Sequence, residues 1–329
     1  MKVLSKITSF LIFLSVCSCG KSPYKSQKGM VWNTTYSIKY SSSADLSDSI
    51  LFEMRRVELS LSPFNEKSLI SAVNRGENVK ADKLFEDVFN ISEYVCSVSG
   101  GSFDPTIAPI VNLWGFGFDN TIAPTDSAIT ESLKSIGIRD CSIVDGYIAK
   151  KTPDTKFDFS AVAKGYGCDL IAEMFKRNGC HNFLIEIGGE IVARGENEKG
   201  RKWRVMIDAP INSNAEIVHS KLALVDLTDC GVATSGNYRN YHYDEAGKII
   251  SHTLSPVTGR PIYTSTLSAT VIAPNCGLAD ALATACMTMS QDSALKMINS
   301  IEYVSALFVS ATSDSTWVVT KTDNFPDFK

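Results

Sequence analysis

Lys156-Phe157-Asp158-Phe159-Ser160-Ala161-Val162-Ala163-Lys164-Gly165-Tyr166-Gly167 passes, near the middle of the chain, from a strand-like tetrapeptide into a helix. Ser160 reads as the N-cap, and the apolar face runs through Val162, Tyr166, Leu170, Met174 and Phe175 until Asn178-Gly179 stops it. Lys164 therefore falls in or just after the first turn, where free backbone N–H groups and the positive end of the dipole favour a phosphate. Gly165 and Gly167 each cost a helix about 1 kcal/mol relative to alanine, so a ligand or another backbone is expected to approach closely there. The competing reading is a tight helix-on-strand contact with Lys164 merely solvated.

Outward from this stretch, helical periodicity appears at Leu46, Ile50, Met54 and Val57, and at Leu84, Val88, Ile91, Val95 and Val98, where Gly100-Gly101 ends the helix. These two helices are expected to cover a sheet. Strand-like runs fall at Tyr36 to Tyr40, Cys141 to Ile148, Phe183 to Ile187, Trp203 to Ile207, Leu222 to Leu227, Thr266 to Ala273, Tyr303 to Val309 and Thr316 to Thr320. Helices and strands alternate irregularly, which predicts an α+β fold rather than a doubly wound parallel sheet. The 329 residues are 44% hydrophobic and can bury a full core. A net charge of -4 with no long Lys/Arg block excludes a nucleic-acid surface, so an anionic ligand must be met locally.

Residues 1–18 read as a lipoprotein signal peptide: Lys2 and Lys6 are followed by an apolar stretch, Ile7 to Val16, too short to span a bilayer. Val16-Cys17-Ser18-Cys19 resembles a lipobox with Cys19 as the lipid-bearing residue; an ordinary cleaved secretory signal is the alternative. Residues 19–28 are expected to be a polar tether and 29–329 the folded domain, on the outer side of a bacterial membrane. The seven cysteines beyond Cys19 include no Cys-x-x-Cys pair, and no zinc site or obligatory disulfide is expected.

Asp280 and Thr284, in Leu278-Ala279-Asp280-Ala281-Leu282-Ala283-Thr284-Ala285, put two hard oxygen ligands on one face of an apolar helix. With Lys164 they suggest metal-assisted chemistry on a phosphate ester. The alternative is that Thr284 bonds a carbonyl one turn back while Asp280 complements the helix dipole. The segments Gly101 to Thr106, Val111 to Gly117, Leu184 to Glu190 and Ala233 to Arg239 read as loops too specialised for connectors. His252, in a turn-rich segment, is a candidate general base. No dinucleotide fingerprint, Walker loop, His-Glu-x-x-His or Gly-x-Ser-x-Gly stretch is present.

Six motifs in order, Gly-Ser-Phe-Asp-Pro-Thr, Asn-Leu-Trp-Gly-Phe-Gly, Asp-Phe-Ser-Ala-Val-Ala-Lys-Gly-Tyr, Ile-Gly-Gly-Glu, Ala-Thr-Ser-Gly-Asn-Tyr-Arg and Ala-Asp-Ala-Leu-Ala-Thr-Ala, give the chain its resemblance to the ApbE family of FAD:protein FMN transferases, from about Gly29 to about Thr288. The resemblance implies two intimately packed α/β halves of mixed sheet and helices with the FAD site between them. It implies a Mg2+-dependent enzyme that splits FAD as substrate, releases AMP and attaches FMN to a Thr or Ser hydroxyl of a partner. By the same resemblance, flavin contacts fall at Met30, Phe64, Ser102, Phe103, Asp104, Asp158, Lys164, Thr253 and Leu254, and the metal is held by Asp280, Thr284 and the Ala161 carbonyl. The base falls on His252, although Ser255 stands where the family usually has an aspartate, and a serine orients the histidine more weakly. The acceptors implied are exported flavoproteins such as subunits of the sodium-pumping NADH:quinone reductase or Rnf complexes. An FAD pyrophosphatase yielding free FMN and AMP, or a lipoprotein that binds flavin without catalysis, are the alternatives.

Overall fold

The computed structural model describes residues 22–116, 124–210, 221–236, 241–243, 249–251, 253–312 and 316–328. The chain enters through a hairpin, β1 (Tyr24–Val31) and β2 (Thr34–Ser41), turned by Trp32 and Asn33 at positive φ. A helical stretch follows, with α1 (Ser47–Leu61), α2 (Leu69–Asn74), α3 (Lys83–Val98), α4 (Ala108–Leu113) and α5 (Asp126–Leu133), then a small hairpin of β3 (Ser142–Val144) and β4 (Tyr147–Ala149). Next come α6 (Ala163–Arg177), β5 (Phe183–Ile187), β6 (Glu190–Arg194), a hairpin of β7 (Trp203–Asp208) and β8 (Lys221–Leu227), and β9 (Cys230–Gly236). The short pair β10 (Tyr241–Tyr243) and β11 (Ile249–Ser251) precedes β12 (Thr266–Ala273), α7 (Cys276–Met287), α8 (Gln291–Asn299), β13 (Ser305–Ala311) and β14 (Trp317–Lys321).

One eight-stranded sheet, in the order β1-β2-β5-β6-β9-β12-β13-β14, runs through the molecule. The α+β class holds. Every pairing in the sheet is antiparallel where a mixed sheet was expected, and the two packed halves share it. Helices α6 and α7 lie directly on its central strands, α6 over β5 and β6 and α7 over β9 and β12. The periodic helices α1 and α3, expected to cover the sheet, pack chiefly on α6 and α7, while α1 also shares a core cluster with β2 and β5. The alanine-rich α7 explains the stacking: it is apolar nearly all round and buried nearly all round, so it must sit between layers. On the opposite face the β7–β8 hairpin lays Trp203, Val205, Ile207, Val225 and Leu227 against Val232, Ile272, Leu307 and Val309. Strand β12 is therefore covered on both sides, and even its alternating Thr266, Ser268 and Thr270 are buried.

Several boundaries differ from the sequence reading: Cys141 to Ile148, read as one strand, is the β3–β4 hairpin, and Val111 to Leu113, read as loop, closes α4. Lys156 to Phe159 is not a strand; only Lys156 makes an isolated bridge, with Ile107, while Phe157 and Phe159 bury their rings edge-on to Phe85. Ser160 is not the N-cap: its N–H goes to Asp158 Oδ1, the Phe159 carbonyl gathers the N–H groups of Val162 and Ala163, and α6 starts three residues later at Ala163. Residues 24–28, assigned to the tether, form most of β1; they are polar because β1 is an exposed edge strand.

Candidate functional site

α6 and α7 cross where Gly165 lies. A Cβ there would stand 2.4 Å from the Cys276 carbonyl oxygen, so the expected close partner is a backbone. Gly167 makes room for the Trp32 indole in the same way. From β9, Gly231 admits the Cys276 backbone, where a Cβ would come within 2.3 Å of its nitrogen. The start of α7 is thus wedged between α6 and the sheet.

This wedge brings Lys164 and the Asp280–Thr284 pair to one cavity of about 740 Å³. Lys164 is the second residue of α6, and its Nζ donates to Glu190 Oε1 at 2.6 Å; Glu190 opens β6 and is 4% exposed. Asp280, 3% exposed, accepts the Gly165 N–H on Oδ2 at 3.0 Å. Thr284 Oγ1 lies 3.2 Å from Ser235 Oγ on β9, and does not turn back on its own helix by any hydrogen bond found there. Burial opposes the Lys164 charge, but the Asp280 and Glu190 carboxylates outweigh it and hold its pKa above the ordinary lysine value. Burial pushes the Asp280 carboxyl above the ordinary carboxylate range, against the pull of Lys164. The α6 start is less open to a phosphate than expected, since its Ala163 and Gly165 N–H groups are already used by Phe159 and Asp280.

Ser102, Phe103, Asp104, Asp158, Ala161, Thr253 and Leu254 line the same cavity. Asp104 does so with its carboxylate engaged: Oδ1 accepts the Thr106 N–H and hydroxyl at 2.8 and 2.6 Å, and Oδ2 the Ile138 N–H at 3.0 Å. Its role is to hold the loop's shape. Phe64 lines a smaller adjoining cavity of about 370 Å³ with Trp32, Asn33 and Leu61, and the two cavities meet at Ser160 and Lys164. Met30, on β1, is 76% exposed and lines neither. His252 and Cys19 lie outside the described residues. In the neighbouring turn Ser255 Oγ accepts the Val257 and Thr258 N–H groups at 3.2 and 3.1 Å, so the serine shapes the turn itself. Trp114 also braces that turn, donating Nε1–H to the Gly259 carbonyl at 2.7 Å.

Six carboxylates, those of Asp104, Asp158, Glu186, Glu190, Asp208 and Asp280, line the larger cavity with one lysine among the described residues. Among those residues no cluster of three His, Cys, Asp or Glu side chains is arranged to hold a metal ion. A cation here would draw on mixed oxygen donors. Sequence reasoning named the segments carrying Glu190 and Ser235 but read both as loops. Both lie on strands: Gly188 and Gly189 make the turn just before β6, while Gly231 of β9 serves close packing.

Fold and cavity together define an α+β enzyme built around two crossed helices. The ApbE family profile matches residues 32–308, and the chain belongs to the ApbE family. It is 31% identical over 275 residues to the FAD:protein FMN transferase of Vibrio cholerae, covering 80% of this chain and 81% of that one. The FAD:protein FMN transferase of Haemophilus influenzae is 31% identical over 314 residues, 90% of each chain. Among solved structures, the flavin transferase ApbE from Vibrio cholerae superimposes with a TM-score of 0.81 at 29% identity over 92% of this chain and 98% of that one. The apo flavinyl transferase ApbE of Pseudomonas stutzeri gives 0.82 at 28% identity over 93% and 96%.

Proposed function

We propose that this protein is an FAD:protein FMN transferase that moves FMN from FAD to a threonine or serine hydroxyl of an exported flavoprotein and releases AMP. The carrying observation is that Lys164 and the Asp280–Thr284 pair, from helices far apart in sequence, line one cavity. In the reaction the acceptor oxygen forms a bond to the FMN phosphorus, the diphosphate P–O bond breaks, and AMP leaves with the bonding pair. Phosphoryl transfer of this kind relies on positioning and charge neutralisation, not on a protein nucleophile.

The donor chemistry of the cavity fits magnesium. Its wall is rich in carboxylates, so a bare diphosphate would be repelled, and a buried aspartate beside a threonine hydroxyl suits a hard cation that keeps phosphate oxygens among its ligands. Asp280, Thr284 and the Ala161 carbonyl would hold that ion, which would supply charge neutralisation at the diphosphate. Lys164 adds a fixed ammonium beside it, kept charged by Glu190 and Asp280. His252 would take the acceptor proton. Phe64, Phe103, Thr253 and Leu254 would contact the flavin dinucleotide, with Phe64 reaching it from the adjoining cavity. Export and a lipid on Cys19 would bring the domain to envelope flavoproteins, of which subunits of the sodium-pumping NADH:quinone reductase or Rnf complexes are the acceptor class.

The test mixes the protein with FAD, Mg2+ and an acceptor fragment and reads covalent flavin by in-gel fluorescence. Wild type should label the acceptor and Asp280→Asn should not. Equal labelling by both would remove the metal assignment. Rapid FMN and AMP release without acceptor labelling would replace transfer by hydrolysis.

A further inference from the structure

Asp169 lies one turn beyond Gly165 along α6 and lines neither cavity. Its Oδ1 accepts the Cys276 N–H at 2.9 Å and its Oδ2 the Gly277 N–H at 2.8 Å. These are the first two residues of α7, whose helix start leaves N–H groups open and carries the positive end of the dipole. The local cap is already supplied by Asn275, whose Oδ1 accepts the Leu278 N–H at 2.9 Å. Asp169 therefore adds a second, interhelical cap. One turn along α7 the arrangement is returned, because Asp280 Oδ2 accepts the Gly165 N–H of α6. Each helix thus places a carboxylate on backbone donors of the other, with Gly165 against the Cys276 carbonyl between them.

Close backbone contacts, Gly165 on the Cys276 carbonyl and Gly277 on Tyr166, limit how near the two helices come. Four of the twelve residues of α7 are alanine, and small side chains interlock less along the helix axis than large ones do. The two hydrogen bonds accepted by Asp169 add a directional constraint at the helix start.

We infer that Asp169 is a positioning residue which sets the place of α7 against α6, and through it the separation of Lys164 from the Asp280–Thr284 pair and the site's hold on its cation. This rests on the reading of Asp280 and Thr284 as the metal-holding pair. It goes beyond that reading in giving metal affinity to a side chain outside the cavity, as partners that orient ligands do elsewhere.

The experiment uses the full chain and compares wild type, Asp169→Asn, Asp169→Glu and Asp280→Asn. Two quantities are read: the Mg2+ dependence of acceptor flavinylation, and direct Mn2+ binding by electron paramagnetic resonance with ADP as an unreactive diphosphate. In Asp169→Asn an amide replaces one carboxylate oxygen facing a backbone N–H, and half-saturating metal should rise about tenfold by both readouts, with most of the rate at saturating metal retained. Asp169→Glu keeps both acceptor oxygens on a longer stem and should recover part of the affinity; it also serves if the amide variant does not fold. Unchanged metal dependence in Asp169→Asn, or a lower melting temperature and maximal rate at unchanged metal affinity, overturns the inference. If Asp280→Asn also binds Mn2+ as wild type does, the metal assignment beneath it falls, and that outcome is separately visible.

Discussion

Gly165→Ala is the smallest change that should separate activity from stability. The added methyl would stand 2.4 Å from the Cys276 carbonyl oxygen and 2.9 Å from Asp280 Cβ, whereas ordinary contact begins at 3.4 Å. Helices α6 and α7 must therefore move apart by about 1 Å, since the nearest obstruction is backbone and cannot rotate away. Overpacking of this kind costs about 1–3 kcal/mol, and alanine returns about 1 kcal/mol of helix propensity, leaving a small net loss of stability. The Gly165 N–H to Asp280 bond stretches by the same displacement, and misplacing a reacting group by about 1 Å can lower a rate roughly a hundredfold. The assay is the initial rate of flavin incorporation into an acceptor fragment, with thermal denaturation in parallel. Gly277→Ala is the graded comparison: its methyl meets Tyr166 at 3.3 Å, a tight contact that a much smaller shift relieves, and should cost less on both counts. Wild-type activity in Gly165→Ala would refute the view that this crossing sets the catalytic geometry.

Two further outcomes follow from the same contacts. Lys164→Met should abolish transfer and cost about 2 kcal/mol in urea denaturation, less than for a fully buried pair because the lysine side chain is 34% exposed; adding Glu190→Gln should restore stability but not transfer. Asp169 has its carboxyl pushed from 3.8 up to about 7, chiefly by burial and against its two backbone hydrogen bonds. Between those values the folded protein binds a proton that the unfolded chain lacks. This contribution makes stability fall as pH rises through the window, by at most about 1.4 kcal/mol per unit, and levels off above it. Denaturation midpoints from pH 4 to 8 should show that slope in wild type and lose it in Asp169→Asn, and identical profiles would remove the assignment.

Much of the site could be read from residue types because its chemistry is local in sequence. Lys164 near a helix start and Asp280 four residues before Thr284 each carry a pattern that survives without coordinates, and the structure places all three on one cavity. The strands Phe183–Ile187 and Thr266–Ala273 were equally legible, being runs of β-branched and apolar residues. Strand β9 was not: Gly231, Thr234, Ser235 and Gly236 have the composition of a turn, yet a small side chain is what α7 requires of the strand beneath it. Glu190 hid for a related reason, since the preceding Gly188 and Gly189, both at positive φ, read as loop while the glutamate itself begins β6. The reciprocal bonds of Asp169 and Asp280 had no local signature, because each joins residues more than a hundred positions apart.

That separation also bears on how the enzyme comes into being. Gly165 and Asp280 are 115 positions apart, so a nascent chain that has emerged only through β9 holds Lys164 and its partner Glu190 but neither Asp280 nor Thr284. Competence to cleave a dinucleotide arrives in one late step, with the docking of α7, and a fragment truncated before Cys276 should be inert however well its remaining strands pair.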